Sequence, residues 1–145
     1  MPRIQETQEF GPLSVFYRDN GLEIEISDRA PEGTIKSWKC EDEESGTLLA
    51  AATLQLRDEC YVLSDLAVKE ELRGTGLGKR LLELAEGEAR ALGAEEIWLV
   101  GKVPAFYRRF AWKEVPRETA PDISRCQTCD SFGKTCFPSI MKKVF

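Results

Sequence analysis

Two periods of apolar residues divide this chain. Before Val68 the apolar positions mostly alternate with polar ones. Leu22-Glu23-Ile24-Glu25-Ile26 alternates without a break, as a half-buried strand does. Asn20-Gly21 just before it is a two-residue hairpin signal, and Leu13 to Arg18 is β-prone, so a strand is predicted on each side of that turn. Residues 1–10 read as a polar lead-in. Further strands are predicted over Thr34 to Cys40, Thr47 to Leu56 and Cys60 to Val68, with a solvated acidic turn at residues 41–46. Beyond Val68 the period lengthens. Apolar residues at 77, 81, 84, 85, 89 and 92 share one face of a helix, with Glu86 and Arg90 as an i,i+4 pair and Gly93 as C-cap. Gly87 inside that helix costs about 1 kcal/mol relative to Ala, which points to close packing there. Glu96 to Val100 reads as a short buried strand, Pro104 to Phe110 as a helix, and Trp112 to Val115 and Ser139 to Phe145 as strands. Between the last two lies a Pro- and Cys-rich loop, residues 116–138.

The period changes within Leu66-Ala67-Val68-Lys69-Glu70-Glu71-Leu72-Arg73-Gly74-Thr75-Gly76-Leu77-Gly78-Lys79. A strand ends, a turn carrying three glycines follows, and a helix begins. Glycine adopts positive φ and lets a ligand approach the backbone closely. The unpaired N–H groups of a helix start, aligned with its dipole, favour an anion. Arg73 and Lys79 add positive charge, so the stretch reads as a diphosphate cradle built mostly from backbone. It is not a P-loop, because Gly78-Lys79 is followed by Arg80 rather than Ser or Thr. Nor is it the dinucleotide fingerprint, since the run from Gly74 is G-x-G-x-G. A Gly-rich loop that only closes a strand–helix unit is the plainer alternative.

The stretch resembles motif A of the GNAT family of N-acetyltransferases, [Q/R]-x-x-G-x-[G/A]. Arg73 takes the first place, Gly76 the fourth and Gly78 the sixth, and the spacing from Val68 to Arg73 agrees. The resemblance runs from residue 13 to 145. It implies an α/β (α+β) fold: a mixed, mostly antiparallel twisted sheet of about six to seven strands with a central helix after the glycine turn. That family places two helices between its first two strands, where they help shape the acceptor pocket. Residues 19–33 are too short for them, so this pair is expected to be missing. The resemblance further implies acetyl-CoA as cosubstrate. The strand before the turn would splay from its neighbour at a bulge, and Leu66, Ala67 and Val68 would offer freed backbone groups to the pantetheine. The pyrophosphate would lie on the amides of Arg73, Gly74, Thr75, Gly76, Leu77, Gly78 and Lys79.

Phe106-Tyr107-Arg108-Arg109-Phe110-Ala111-Trp112 looks like the same family's F-Y-x-x-x-G-F segment, with Ala111 in place of the glycine. The matching Tyr107 would protonate the departing CoA thiolate, which a phenol at hydrogen-bond distance can do. Packing alone is the alternative for that ring. Asp65, on the strand before the turn, is the candidate base acting through water, with Glu70 and Glu71 behind it. A third feature is Cys126-x-x-Cys129-x6-Cys136 in the loop. C-x-x-C is a common half of a zinc site, and Cys40, Cys60 or Asp130 would complete four ligands. Reduced packed cysteines and a Cys126–Cys129 redox pair are the alternatives.

Composition narrows the chemistry. There is no histidine, which removes Ser-His and Cys-His mechanisms and imidazole ligands. Residues 1–72 hold 7 Lys+Arg against 16 Asp+Glu, while residues 73–145 hold 13 against 9, so the basic half starts at the glycine turn. The net charge of −5 without a basic run argues against nucleic acid or an anionic membrane as partner. The 145 residues fit one domain, with no apolar run of membrane-spanning length and no signal-peptide apolar region, so a cytoplasmic location is expected. Monomer and homodimer are equally compatible. The sequence therefore points to an acetyl-CoA-dependent N-acetyltransferase acting directly on a primary amine of a small molecule or protein. The alternative is a non-catalytic acyl-CoA-binding or metal-sensing module.

Overall fold

The alternating part of the chain folds into a sheet, and the helical part packs against it. The computed structural model describes residues 2–20, 22, 26–57, 59–101, 104–116 and 139–145. Its strands are β1 (Pro2–Thr7), β2 (Thr34–Asp42), β3 (Leu48–Arg57), β4 (Cys60–Val68), β5 (Glu96–Gly101), β6 (Lys113–Val115) and β7 (Ser139–Val144). They form one seven-stranded sheet in the order β1-β2-β3-β4-β5-β7-β6. Every pair is antiparallel except β4–β5, which the following helix joins by a crossover. The expected mixed, mostly antiparallel sheet with its central helix is therefore present.

The three helices are α1 (Phe10–Asp19), α2 (Leu77–Ala91) and α3 (Pro104–Arg108). Alternation along β3 assigns them to faces. Ala50, Ala52 and Leu54 join Leu77, Leu81, Leu82, Ala85 and Ala89 of α2 in the main core, together with Trp38, Leu63, Ile97, Leu99 and Met141. Ala51 and Ala67 point the other way and meet Phe10, Leu13, Phe16 and Tyr17 of α1. Alanines on both sides of β3 let each helix lie close to the sheet.

Three expectations change. Leu13 to Arg18 is helix, not strand. Phe10, Leu13, Ser14 and Tyr17 are buried at i, i+3, i+4 and i+7, while Val15 is exposed. Pro12 sits in the first turn, where its missing N–H removes no intrahelical bond. Asn20 ends the helix, its side-chain amide donating to Phe16 O at 2.8 Å, so it does not begin a hairpin. Of the strand expected over Leu22 to Ile26, the two end residues lie outside any strand, and Glu23, Ile24 and Glu25 lie outside the described residues. The polar lead-in is an edge strand: Ile4 faces Cys40 across the β1–β2 ladder and packs against the core, and the rest of β1 needs no apolar face. The family's helical pair has one described counterpart, α1, between β1 and β2.

The inner face of α2 also differs in detail. Leu82 and Glu86 are buried on it, whereas Leu84 and Leu92 are exposed. Glu86 does not pair with Arg90. Its carboxylate accepts from Lys143 Nζ at 2.6 Å and from Trp112 Nε1 at 3.4 Å, tying α2 to β7 and to the residue before β6. Arg90 instead lies over the Phe145 ring, 4.6 Å from its centroid.

Gly87 is exposed, and a Cβ there would meet nothing within 4 Å, so no close packing accounts for it. Gly87→Ala should therefore raise stability by about 1 kcal/mol through helix propensity and a less flexible unfolded chain. A higher urea midpoint with unchanged slope would agree; a lower midpoint would show a contact that the geometry does not contain.

Candidate active site

One irregularity in β4 creates the site. Thr53 pairs with Asp65, but its neighbour Leu54 pairs with Leu63, so Ser64 is an extra residue in β4. Its hydroxyl is held at the bulge, donating 3.2 Å to Thr53 O and 3.0 Å to Asp65 Oδ2. A bulge bends its strand and raises the local twist. The parallel ladder to β5 accordingly holds only at Val62↔Trp98 and Leu63↔Leu99. From Ser64 to Val68 the strand keeps β3 on one side and leaves β5 on the other. β5 itself continues along β7 through Val100 and Gly101. The sheet thus opens between β4 and β5. Along that edge the backbone groups of Leu66 and Val68 turn away from β3, those of Ala67 turn towards Ala51, and the Val68 carbonyl accepts from Arg73 Nε.

The glycine turn closes the end of that opening. After Val68 the chain makes a single 3-10 turn, Glu70–Leu72, and Thr75 Oγ1 bonds back to Leu72 O at 2.5 Å. Gly74 and Gly76 have φ of 85° and 93°, in the left-handed region, and Gly76 is the N-cap of α2. A Cβ at either position would meet nothing within 4 Å. The open space above them is where the first amides of α2 are unpaired within the helix. Gly78 has a different duty. A Cβ there would lie 3.1 Å from Phe106 Cζ and 3.5 Å from Val68 Cγ2, so its bareness lets α3 lean on the turn. Arg73 is exposed, with Nε donating to Val68 O at 3.2 Å, and Lys79 is exposed on the first turn of α2 near Glu83.

That contact brings the aromatic segment to the opening. Phe106 and Tyr107 meet edge to face at 5.0 Å between centroids, and Tyr107 meets Trp112 at 6.0 Å. Trp112 is fully buried, with its indole held by Glu86. Ala111, where the family motif has glycine, adopts φ of 70°. It accepts the left-handed conformation needed to turn from α3 into β6, at a cost of about 1–2 kcal/mol. Burial pushes the Tyr107 phenol up to about 12, so it is protonated at neutral pH.

Asp65 is buried on the opposite face, the α1 side, directly across from Thr53. The acid and base candidates therefore lie on opposite faces of the sheet. Sequence reasoning missed the row beside Asp65. Thr53 Oγ1 lies 2.8 Å from Tyr17 OH and 3.0 Å from Ser37 Oγ, and all three residues are buried. Ser and Thr at alternate strand positions were the available signal, but they read equally well as solvent-facing. A cavity of about 620 Å³ opens beside Ser37, between the end of β1, the start of α1, residues 30–33 and the start of β2. It touches none of the glycine-turn residues.

Cys126, Cys129 and Cys136 lie outside the described residues. The proposed completing thiols do not lie together. Cys40 is level with Ala50 and hence with Val68, while Cys60 pairs with Arg57 at the far end of β4. Burial also pushes the Cys40 thiol up, against thiolate formation. Among the described residues no group of His, Cys, Asp or Glu is placed to hold a metal ion. Nor is any described helix long and apolar enough to cross a membrane.

A sheet parted between two parallel strands, with a glycine-built helix start at the parting, defines the acetyltransferase class of fold. The chain belongs to the acetyltransferase (GNAT) family, whose family model matches residues 4–112. An uncharacterized N-acetyltransferase from Chlorobaculum tepidum is 34% identical over 79 residues; the match covers 49% of this chain and 51% of that relative. N-acetylglutamate synthase from Neisseria gonorrhoeae, solved with coenzyme A and N-acetylglutamate, superposes with a TM-score of 0.70 at 15% identity over 99% of this chain and 35% of that one. The alanine N-acetyltransferase of a ribosomal protein from Escherichia coli gives a TM-score of 0.69 at 18% identity over 99% and 94%. The chain thus spans about half of the curated relative and about a third of the Neisseria chain.

The raised Tyr107 pKa has a consequence for stability. The folded chain keeps a proton that the unfolded chain surrenders near the ordinary tyrosine value. The associated stabilisation is complete below about pH 10 and is lost as pH rises towards about 12. Wild type should lose stability over that window relative to Tyr107→Phe, measured by urea unfolding at each pH. Parallel loss in both proteins would mean that the phenol is not desolvated.

Proposed function

We propose that this chain is an acetyl-CoA-dependent N-acetyltransferase that transfers acetyl directly to a primary amine of a small molecule or protein. The observation that carries the reading is the parting of β4 from β5 at Ser64, directly before a glycine turn with open space above it. The residues present suit the cosubstrate. Gly74 and Gly76 leave bare the space a pyrophosphate needs, and the amides from Arg73 to Lys79 with the dipole of α2 favour its charge. The edge from Leu66 to Val68 offers strand-like hydrogen bonds to the pantetheine amides through the groups that alternation turns away from β3, in effect letting it pair where β5 has left. Acetyl-CoA, when bound, supplies the activated thioester.

The chain's own residues then supply placement and protons. A rigid cleft that holds the two reactants together provides much of the acceleration. Asp65 accepts a proton from the attacking nitrogen, directly or through water. Tyr107 donates to the departing sulfur, and its raised pKa keeps that proton in place through neutral pH. No protein nucleophile is required, in keeping with the absence of histidine. The N-acetylglutamate bound to the Neisseria enzyme and the ribosomal-protein alanine for which the Escherichia coli enzyme is named support a primary amine as the class.

The test is thiol release from acetyl-CoA with a panel of amines: glutamate, a diamine, an aminoglycoside and a short peptide with a free N-terminus. Turnover with any of them supports transfer. Binding of CoA with no turnover on the whole panel would favour the acyl-CoA-binding module instead.

Two variants separate binding from chemistry. Gly76→Val puts a branched side chain into the space above the turn, and its φ of 93° suits no β-branched residue. Calorimetric CoA affinity should fall by at least about tenfold while the circular dichroism spectrum remains native. Unchanged affinity would remove the turn from the binding site. Tyr107→Phe keeps the ring and removes the proton; kcat should fall by about 10²–10⁴ with CoA affinity intact. A rate close to wild type would transfer the acid role to water.

A further inference from the structure

We propose that the buried hydroxyls of Tyr17, Thr53 and Ser37 form a proton relay that leads from Asp65 to the cavity beside β2. The inference rests on the reading of Asp65 as the base. When a protonated amine is acetylated, the C–N bond forms and the thioester C–S bond breaks. The nitrogen loses two protons in all, the sulfur gains one, and one must leave the site. Asp65 is buried, so that proton needs a path to water.

The row provides one. Ser37, Thr53 and Asp65 are consecutive partners across β2, β3 and β4. Cross-strand side chains on one face lie about 4.5–5.5 Å apart at Cβ, within reach of hydroxyl-to-carboxylate transfer directly or through one water. The Ser37–Thr53 and Thr53–Tyr17 contacts, 3.0 and 2.8 Å, fix neither atom as donor. Each hydroxyl can therefore accept a proton on one side and release one on the other, ending neutral as it began. Tyr17 stands over the row from α1, and burial together with the Asp65 charge holds its phenol in the neutral form that such a relay needs.

The other end of the row reaches solvent. Ser37 and Thr34 line the cavity of about 620 Å³. Gln55 is buried beside them, its amide nitrogen 3.4 Å from Thr34 Oγ1 and its carbonyl oxygen without a partner among the described residues. An orphaned buried carbonyl costs about 1–3 kcal/mol, a penalty that a water entering from the cavity removes.

The test uses the most active amine of the panel with acetyl-CoA, and compares Asp65→Asn, Thr53→Val, Thr53→Ser and Ser37→Ala. Thr53→Val should lower kcat by about tenfold or more, leave the KM for acetyl-CoA within about threefold, and enlarge the solvent deuterium isotope effect on kcat. Thr53→Ser should restore both rate and isotope effect. Ser37→Ala, at the cavity wall, should move the isotope effect in the same direction and serves if Thr53→Val does not fold. If Asp65→Asn is inactive while Thr53→Val and Ser37→Ala run at the wild-type rate, the relay is wrong and the base stands. If Thr53→Ser is as slow as Thr53→Val, the site needs shape rather than a hydroxyl, and the relay is again wrong. Full activity of Asp65→Asn, or no turnover with any amine, removes the base reading and the relay with it.

Discussion

Everything distinctive in this structure depends on one residue too many in β4. A parallel pair of strands closes a sheet when its ladder runs the full length. Here Ser64 is accommodated as a bulge, and the ladder to β5 stops at the residue before it. The freed stretch retains β3 on its other edge, and among the described residues no strand pairs with its open edge, where Arg73 reaches the Val68 carbonyl. Unpaired backbone groups in a cleft are costly when dry. An extended ligand with amide groups of its own is the complement such an edge would take under the proposed function. The cost of the bulge is limited because Ser64 bonds to Thr53 O and to Asp65.

Such an opening would be of little use if its walls moved independently. Two contacts hold them. Phe106 rests on Gly78, joining α3 to the start of α2 at the turn itself. Further back, Glu86 links α2 to Trp112 and, through a part-buried ion pair, to Lys143 of β7. Trp112 in turn backs Tyr107. The turn that suits a phosphate and the ring that holds a proton are thus positioned through the same helix. Glu86 sits near the middle of the chain, yet its partners lie 26 and 57 residues away.

The sequence made the second half of the fold legible and much of the first half not. From Thr34 onward, strands and helices fall within a few residues of their predicted bounds, because each has an unambiguous period and the glycines mark where it changes. The failures at the N-terminal end have physical causes. β1 is held by ladder hydrogen bonds to β2 and buries little beyond Ile4, so it leaves almost no hydrophobic signature. In α1, Val15-Phe16-Tyr17 has strong β propensity, and tertiary contact with Ala51 and Ala67 overrides it. At the site, glycines and aromatics were readable because their chemistry is tied to spacing. Glu86 was assigned to the wrong partner, since a neighbour four residues away is visible in a sequence and one 57 residues away is not.

The same limit explains why the two faces of the opening look so unlike each other. On the α2 side the sheet is covered by leucine, alanine and tryptophan, with Tyr107 set among them. On the α1 side, Ser37, Thr53, Gln55 and Asp65 interrupt the apolar contacts that α1 makes with the sheet. Desolvation on the first side raises the affinity of Tyr107 for its proton. The second side instead gathers hydroxyls and a carboxylate, groups that exchange protons with one another. The bulge sets this division. By inserting Ser64 it shifts the alternation of β4 by one, so that Asp65 joins Thr53 and Ala67 on the α1 face rather than Leu63 on the other. One added residue therefore both opens the cleft and turns the carboxylate to the side away from the phenol.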